Sequence, residues 1–335
     1  MRAIPSTLLL ASLGACATAP VGLPPVSVTA VAETEPVGTA AEDAADDPAI
    51  WRNAADPAQS LIVATDKKAG LYVYGLDGGT RHFAGGGLLN NVDLVDMGAA
   101  GIIVVASDRN DPLAARLQLY RLDPASAALT LLGTVPSGSG EAYGVCLRRA
   151  GEHLLAYSVL KHGLIQELRL TLSATPTAQP LRQLTLPTQT EGCVVDPQDG
   201  TLYVGEENVG IWRFAPAATQ GELVAPIDNR QLVADVEGLA LLREGDRAWL
   251  VASSQGDNTY AVFALPGVTP LGRFNIASAA FGSVEETDGI ELAGGSFGAD
   301  FPDGIFVAQD GQNEPAAQNF KLVSWAAIKA ALGIE

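Results

Sequence analysis

Carboxylates stand at the head of short apolar runs along this chain: "DDPAIW" begins at Asp46, "EGCVV" at Glu191, "EGLAL" at Glu237 and "DGIEL" at Asp288. Brought to one place, such groups repel one another or take up protons unless cations come between them. No His or Cys cluster accompanies them, and the chain holds three of each in 335 residues. Hard oxygen donors with backbone carbonyls nearby specify Ca2+ or Mg2+ over zinc, and a large irregular set favours calcium. An acid before glycine at a strand start is also a common turn former. One copy therefore says little, and recurrence in phase decides.

The motifs do recur. "DPAIW" (from Asp47), "NVDLV" (Asn91), "YGVCL" (Tyr143), "EGCVV", "EGLAL" and "DGIEL" start 44, 52, 48, 46 and 51 residues apart. Each is followed by an apolar run with a polar end: "LIVATD", "IIVVASD", "LLAYSVLK", "LYVGEE", "WLVASSQ" and "IFVAQD". A third series ("LYVYGLDG", "LQLYRLDP", "IQELRLTL", "IWRFAP", "YAVFALPG", "FKLVSW") alternates and closes in turn residues, as strands do. Six multi-strand units, each too small to bury its own core, predict an all-β, six-bladed β-propeller. The competing arrangement, a β-sandwich of irregular strands, does not account for six triplets in phase. "VSVTAVA" (residues 26–32) precedes the first repeat and is expected to pair into the last blade, joining the chain ends.

Innermost strands of a propeller line its channel. Asp47, Asn91, Tyr143, Glu191, Glu237 and Asp288 are therefore expected around one mouth, with Lys67, Arg109, Lys161 and Glu207 from the second strands on the same face. With 20 Lys+Arg against 38 Asp+Glu and a net charge of -18, a nucleic-acid footprint is excluded. The acidity reads either as a solubility device or as affinity for cations.

Residues 1–15 read as a secretory signal: Met1-Arg2, then "LLLASLGAC", too short to remain as a membrane span. "LGAC" also resembles a bacterial lipoprotein cleavage box with Cys16 as the lipidated first residue; an ordinary signal cleaved nearby is the alternative. Residues 16–27 read as a tether and 28–335 as the propeller domain. The expected location is extracytoplasmic (periplasmic, outer-membrane-anchored or secreted), with membrane contact only through a lipid anchor. Cys146 and Cys193 form one bridge or remain two buried thiols.

"ETEPV", "DDPAIW", "TDKKAGLYVY", "LNNVDLV", "QTEG", "DVEGLAL", "ASSQG", "TDGIEL", "VAQDGQN" and "QNFKLV" follow one another between residues 33 and 325. In these motifs and their order the chain resembles the β-propeller phytases, the alkaline, calcium-dependent 3-phytase family. The resemblance implies a phosphatase that takes a small-molecule substrate, myo-inositol hexakisphosphate (phytate), through two phosphate subsites, one for cleavage and one for affinity; a monomer is expected. It implies active-site calcium ligands at Glu33, Asp46, Glu191, Glu207, Asp235, Glu237 and Asp288, with Tyr143 facing them. Lys67 and Arg109 would touch the phosphate being cleaved, and Lys68 and Lys161 the neighbouring one. Asp47, with the carbonyls of Pro48 and Val92, would hold a structural calcium, and Asp310 and Asn313 part of another. Water held between two ions would attack phosphorus in line, with no covalent phosphoenzyme.

Two positions depart from the family. His162 follows Lys161 where relatives can carry an acid, and "FGSVEE" lacks the longer acidic loop of some relatives. A histidine-acid phosphatase is disfavoured, because only His82, His153 and His162 exist and "RHF" lacks the surrounding motif; no P-loop occurs either. Two rival functions keep the propeller. One is a calcium-dependent lactonase, which calls for a more apolar pocket and fewer mouth cations. The other is a non-catalytic surface module stiffened by calcium.

Overall fold

The computed structural model describes residues 21–40 and 43–334. The signal, Cys16 and the first part of the tether lie outside the described residues. Six small sheets form the propeller. Their inner strands are Ala45–Trp51, Leu89–Asp96, Ala142–Ala150, Thr190–Val195, Val236–Glu244 and Ile290–Gly294, in blades 1 to 6. The strands of each repeat pair antiparallel in chain order from the channel outward, and among the described residues only blades 5 and 6 take a further strand from the N-terminal segment.

Second strands are covered on both faces, so they read as continuous apolar runs: every residue of Leu61–Asp66 and Ile102–Asp108 is buried. The outer strand Thr80–Gly85 has no buried residue. Between blades the apolar side chains interdigitate, as Val63, Leu71, Val104 and Tyr120 do between blades 1 and 2. Each such residue, fully buried, stabilises the fold by about 1.5–3 kcal/mol.

Closure differs in detail from the sequence expectation. Ala32–Glu33 does pair into blade 6, antiparallel to Asn319–Ser324, but Val26–Thr29 runs parallel to the outer strand Thr269–Ala277 of blade 5. Blade 6 receives only three strands from the C-terminal repeat. Two residues supply its missing edge, and the preceding segment covers the edge of blade 5. The helix Trp325–Leu332 seals the seam, with Trp325 buried edge-on to Trp249, 5.7 Å between ring centroids.

Two features shape the mouth. In blades 1 to 5 the inner strand slips register near its start, between Ala45 and Pro48, Leu89 and Val92, Ala142 and Gly144, Thr190 and Cys193, and Val236 and Leu239. Such bulges bend a strand and re-aim its side chains. The second feature explains the acid-glycine pairs. A Cβ on Gly144 would lie 2.0 Å from the Glu191 carbonyl oxygen, on Gly192 2.0 Å from that of Glu237, on Gly238 2.7 Å from that of Asp288, and on Gly289 2.5 Å from that of Asp46. Each glycine makes room for the backbone of the next blade's acid. Gly238 and Gly289 also donate their N–H groups to those carbonyls, at 2.8 and 3.0 Å. The motif is a blade-to-blade contact, which the turn-former reading does not describe.

A disulfide joins Cys146 and Cys193, with Cα atoms 5.8 Å apart, and cross-links the inner strands of blades 3 and 4.

Candidate active site

Glu191 and Glu237 lie at the upper ends of two inner strands, and Glu207 follows the second strand Leu202–Glu206. Together they bring one carboxylate oxygen each to within 4.8 Å of the others. All three are buried, as is Asp46. Burial first, then Asp46 and Glu237, raises the pKa of Glu191 well above the carboxylate range. Burial, then Asp288 and Glu207, does the same to Glu237. Burial raises Glu207 too, against a hydrogen bond from Gln189, with Asp235 adding repulsion. Asp46 is raised by burial and partly relieved by Lys67. Asp288 reaches about 7, again through burial, with Lys67 pulling it down.

Buried oxygens without partners complete this picture. Asp46 Oδ1, Glu207 Oε1 and Glu237 Oε2 have no hydrogen-bond partner among the described residues. Buried acceptors of this kind are costly. A divalent cation would satisfy them and relieve the mutual repulsion, so this donor set fits a metal ion.

The mouth also carries fixed cations. Lys67 Nζ lies 2.8 Å from Asp43 Oδ2, 3.0 Å from Asp46 Oδ2 and 2.8 Å from Asp288 Oδ2. Burial opposes its charge, yet Asp46, Asp288 and Asp43 together hold its pKa above the ordinary lysine value. Tyr143 presents its ring to two more cations: Arg109 Cζ lies 5.8 Å and Lys161 Nζ 4.9 Å from the centroid. Arg109 also approaches Glu141 Oε1, at 3.6 Å. Burial, then Glu191 and Asp46, drives the Tyr143 hydroxyl far above its usual range, so it stays protonated. Lys68 sits exposed on the turn after Lys67. Beside Asp288 and Asp43 opens a cavity of about 680 Å³, lined also by Gln255, Asn258, Glu286 and Gln312.

Asp47 is buried beside Asp46. Its Oδ2 accepts the Val92 N–H at 3.0 Å, and its neighbours are Glu291 and Asp93 as well as Asp46. Burial lifts Asp93 to about 7, eased by the Leu147 and Leu94 N–H groups. Burial and Asp93 lift Glu291 to about 8. A second acidic stretch thus lies within the channel, next to Pro48 and Val92 on the same strands.

Glu33, Asp310 and Asn313 meet around one lysine, and Asn313 lines the same cavity as Asp43 and Asp288. All three touch the ammonium of fully buried Lys321, with Glu33 Oε2 at 2.7 Å, Asp310 Oδ2 at 2.9 Å and Asn313 Oδ1 at 3.1 Å. Cross-strand pairing of Glu33 with Lys321 causes this. Glu33, read from the sequence as an active-site ligand, also accepts a hydrogen bond from Asn319 Nδ2 through Oε2, at 3.2 Å. Sequence reasoning passed over Lys321, Asp43, Asp93, Glu291, Gln255 (whose Nε2 donates to Asp288 Oδ1 at 2.7 Å) and Asn90. Asp93 and Glu291 carried a signal, since each sits two or three residues into a recurrent motif, on an inner strand.

The sequence model of the phytase family, described as Phytase, matches residues 2–335. The chain belongs to the phytase family. A 3-phytase of Bacillus subtilis (strain 168) is 34% identical over 327 residues, covering 91% of this chain and 85% of that protein. As a phytase the protein is a phosphoric monoester hydrolase acting on a small molecule. That activity sharpens the electrostatic problem of the mouth. A phosphate ester is an anion, and the bare carboxylate cluster would repel it; a metal ion among these oxygens reverses the local sign.

Proposed function

We propose that this phytase hydrolyses myo-inositol hexakisphosphate and depends on calcium. The observation that carries the reading is the buried Glu191–Glu207–Glu237 group, with unpartnered oxygens, directly beside cations suited to phosphate. Asp46, Asp235 and Asp288 adjoin it, giving an oxygen-only donor set of irregular geometry, which favours calcium over magnesium. Calcium bound there would neutralise charge on the phosphate and polarise its oxygens.

The chain's own residues have separate tasks. Arg109 makes paired contacts with phosphate oxygens, as its planar fork allows, and Lys67 adds a fixed positive charge. Lys161 and Lys68 hold a second phosphate of the same ring. The Tyr143 face spaces Arg109 from Lys161 and so sets the separation of the two subsites. Asp47, Pro48 and Val92 would hold an ion in the channel. Asp310 and Asn313 would hold part of another, beside the Lys321 ammonium, and Asp310 Oδ2 makes no hydrogen bond among the described residues.

Phosphate release from inositol hexakisphosphate tests this reading, with chelator-treated protein and calcium re-addition as controls. Release that requires calcium and is lost in Glu207→Gln is the expected result. Lactone opening without phosphate release would favour the lactonase reading, and neither activity a binding module. Export from the cytoplasm, with or without a lipid on Cys16, is supported by the Cys146–Cys193 disulfide, since such bonds persist in oxidising compartments.

A further inference from the structure

Asn90 occupies the register slip at the start of the blade 2 inner strand, between Leu89 and Val92, and is 1% exposed. Its Nδ2 donates to Glu191 Oε1 at 2.6 Å, across 101 residues of sequence, and to Asn91 Oδ1 at 2.7 Å. Its own Oδ1 is buried and has no hydrogen-bond partner among the described residues.

The orientation of this amide follows from its neighbours. A half-turn would set Oδ1 against two acceptors, the Glu191 carboxylate and the Asn91 carbonyl oxygen, so Nδ2 must face them. Oδ1 then keeps both lone pairs free inside the protein. Because it shares a carbon with Nδ2, Oδ1 lies no more than about 5 Å from Glu191 Oε1, the span across which two oxygens bind one calcium at 2.3–2.6 Å each. Asn91 offers no such atom, its Oδ1 being taken by Asn90.

We infer that Asn90 is a further member of the metal-holding set: Oδ1 ligates a cation bound at Glu191, while Nδ2 fixes the rotation of the Glu191 carboxylate. The inference rests on the calcium reading above. A neutral ligand suits this place. The neighbouring carboxylates already raise one another's pKa, and an amide adds an oxygen donor without adding charge.

Calcium titration calorimetry on the full chain, without substrate, tests it with Asn90→Ala and Asn90→Asp beside the wild type. Asn90→Ala should weaken one class of calcium site by about 10–100-fold, the usual cost of losing a group that orients or completes a metal site. Its unfolding midpoint should fall further below wild type in calcium than in chelator, where only the hydrogen bonds to Glu191 and Asn91 are lost. Asn90→Asp restores an oxygen, so it should recover most of the affinity while melting lower in chelator, where its charge faces Glu191. Calcium binding untouched by either variant overturns the role of Asn90 alone, as do equal losses of midpoint with and without calcium, or an Asn90→Asp no better than Asn90→Ala. A wild type that binds no calcium overturns the calcium reading and this inference together.

Discussion

The Lys67 ammonium lies 2.8 Å from Asp288 Oδ2 although 221 residues separate them, because the ring closes between blade 6 and blade 1 at this point. The same nitrogen reaches Asp46 and Asp43. Lys67 is therefore an internal counter-ion of the metal-free mouth, besides the phosphate-binding role proposed for it. Lys67→Met should lower stability in chelator by about 3 kcal/mol, the lower end of the cost of breaking a buried ion pair. Calcium should restore part of that loss. Denaturant titrations with and without calcium check it, and an equal loss in both conditions would contradict the counter-ion role.

Lys161 shares the Tyr143 face with Arg109, and its proposed place is in the affinity subsite. Lys161→Ala should raise KM for inositol hexakisphosphate several-fold and leave kcat within about twofold, the pattern of lost uniform binding. Steady-state kinetics at saturating calcium decide. A fall confined to kcat would move Lys161 into the cleavage subsite.

The glycine ring makes a separate demand. A Cβ on Gly192 would sit 2.0 Å from the Glu237 carbonyl, whereas one on Gly282 meets nothing within 4 Å. Gly192→Ala should push blades 4 and 5 apart at the mouth, cost about 1–3 kcal/mol as overpacking does, and weaken calcium binding. Gly282→Ala should do neither. Matching behaviour of the two variants in thermal melts and calcium titrations would sink this account.

Why were some of these relationships legible in the sequence and others not? Six blades were legible because every unit repeats apolar runs with polar ends, a local pattern. The positions of Glu191, Glu237 and Asp288 followed from the phase of that repeat, and the lysine and arginine positions from second-strand ends. Asn90 reads locally as an ordinary residue of a strand start, and its partner Glu191 lies two blades further along. Lys321 finds Glu33 only when the first and last segments of the fold pair. "VSVTAVA" looks like one strand, yet the seam divides it between two blades. Acid-glycine pairs were visible, but the carbonyl that requires each glycine comes from the next blade, about one repeat away or, for Gly289, from the other end of the chain.

Acidity and metal content should act together on stability. Asp93 and Asp288 reach about 7 and Glu291 about 8, each above its ordinary value of 3.8 or 4.5. Between those two ranges the folded chain binds more protons than the unfolded chain, so stability falls as pH rises from about 4 to about 8. In chelator the melting temperature should therefore be higher at pH 5 than at pH 8. Saturating calcium should flatten or reverse the trend, because the ions favour the deprotonated carboxylates. A chelated protein most stable at pH 8 would refute this.

Cys146 and Cys193 lie three and two residues beyond Tyr143 and Glu191, on adjacent inner strands. Their bond closes a loop with a sequence separation of 47 and is expected to stabilise the fold by about 2–4 kcal/mol. It also holds together the two strands that present the aromatic and acidic sides of the mouth. The double variant Cys146→Ala/Cys193→Ala should lose that stability and need more calcium for half-maximal activity. Its kcat at saturating calcium should stay near wild type, since no group that touches substrate is removed. Reducing the wild type with dithiothreitol should reproduce the shift. A bond that served stability alone would instead lower the melting temperature and leave the calcium requirement where it was.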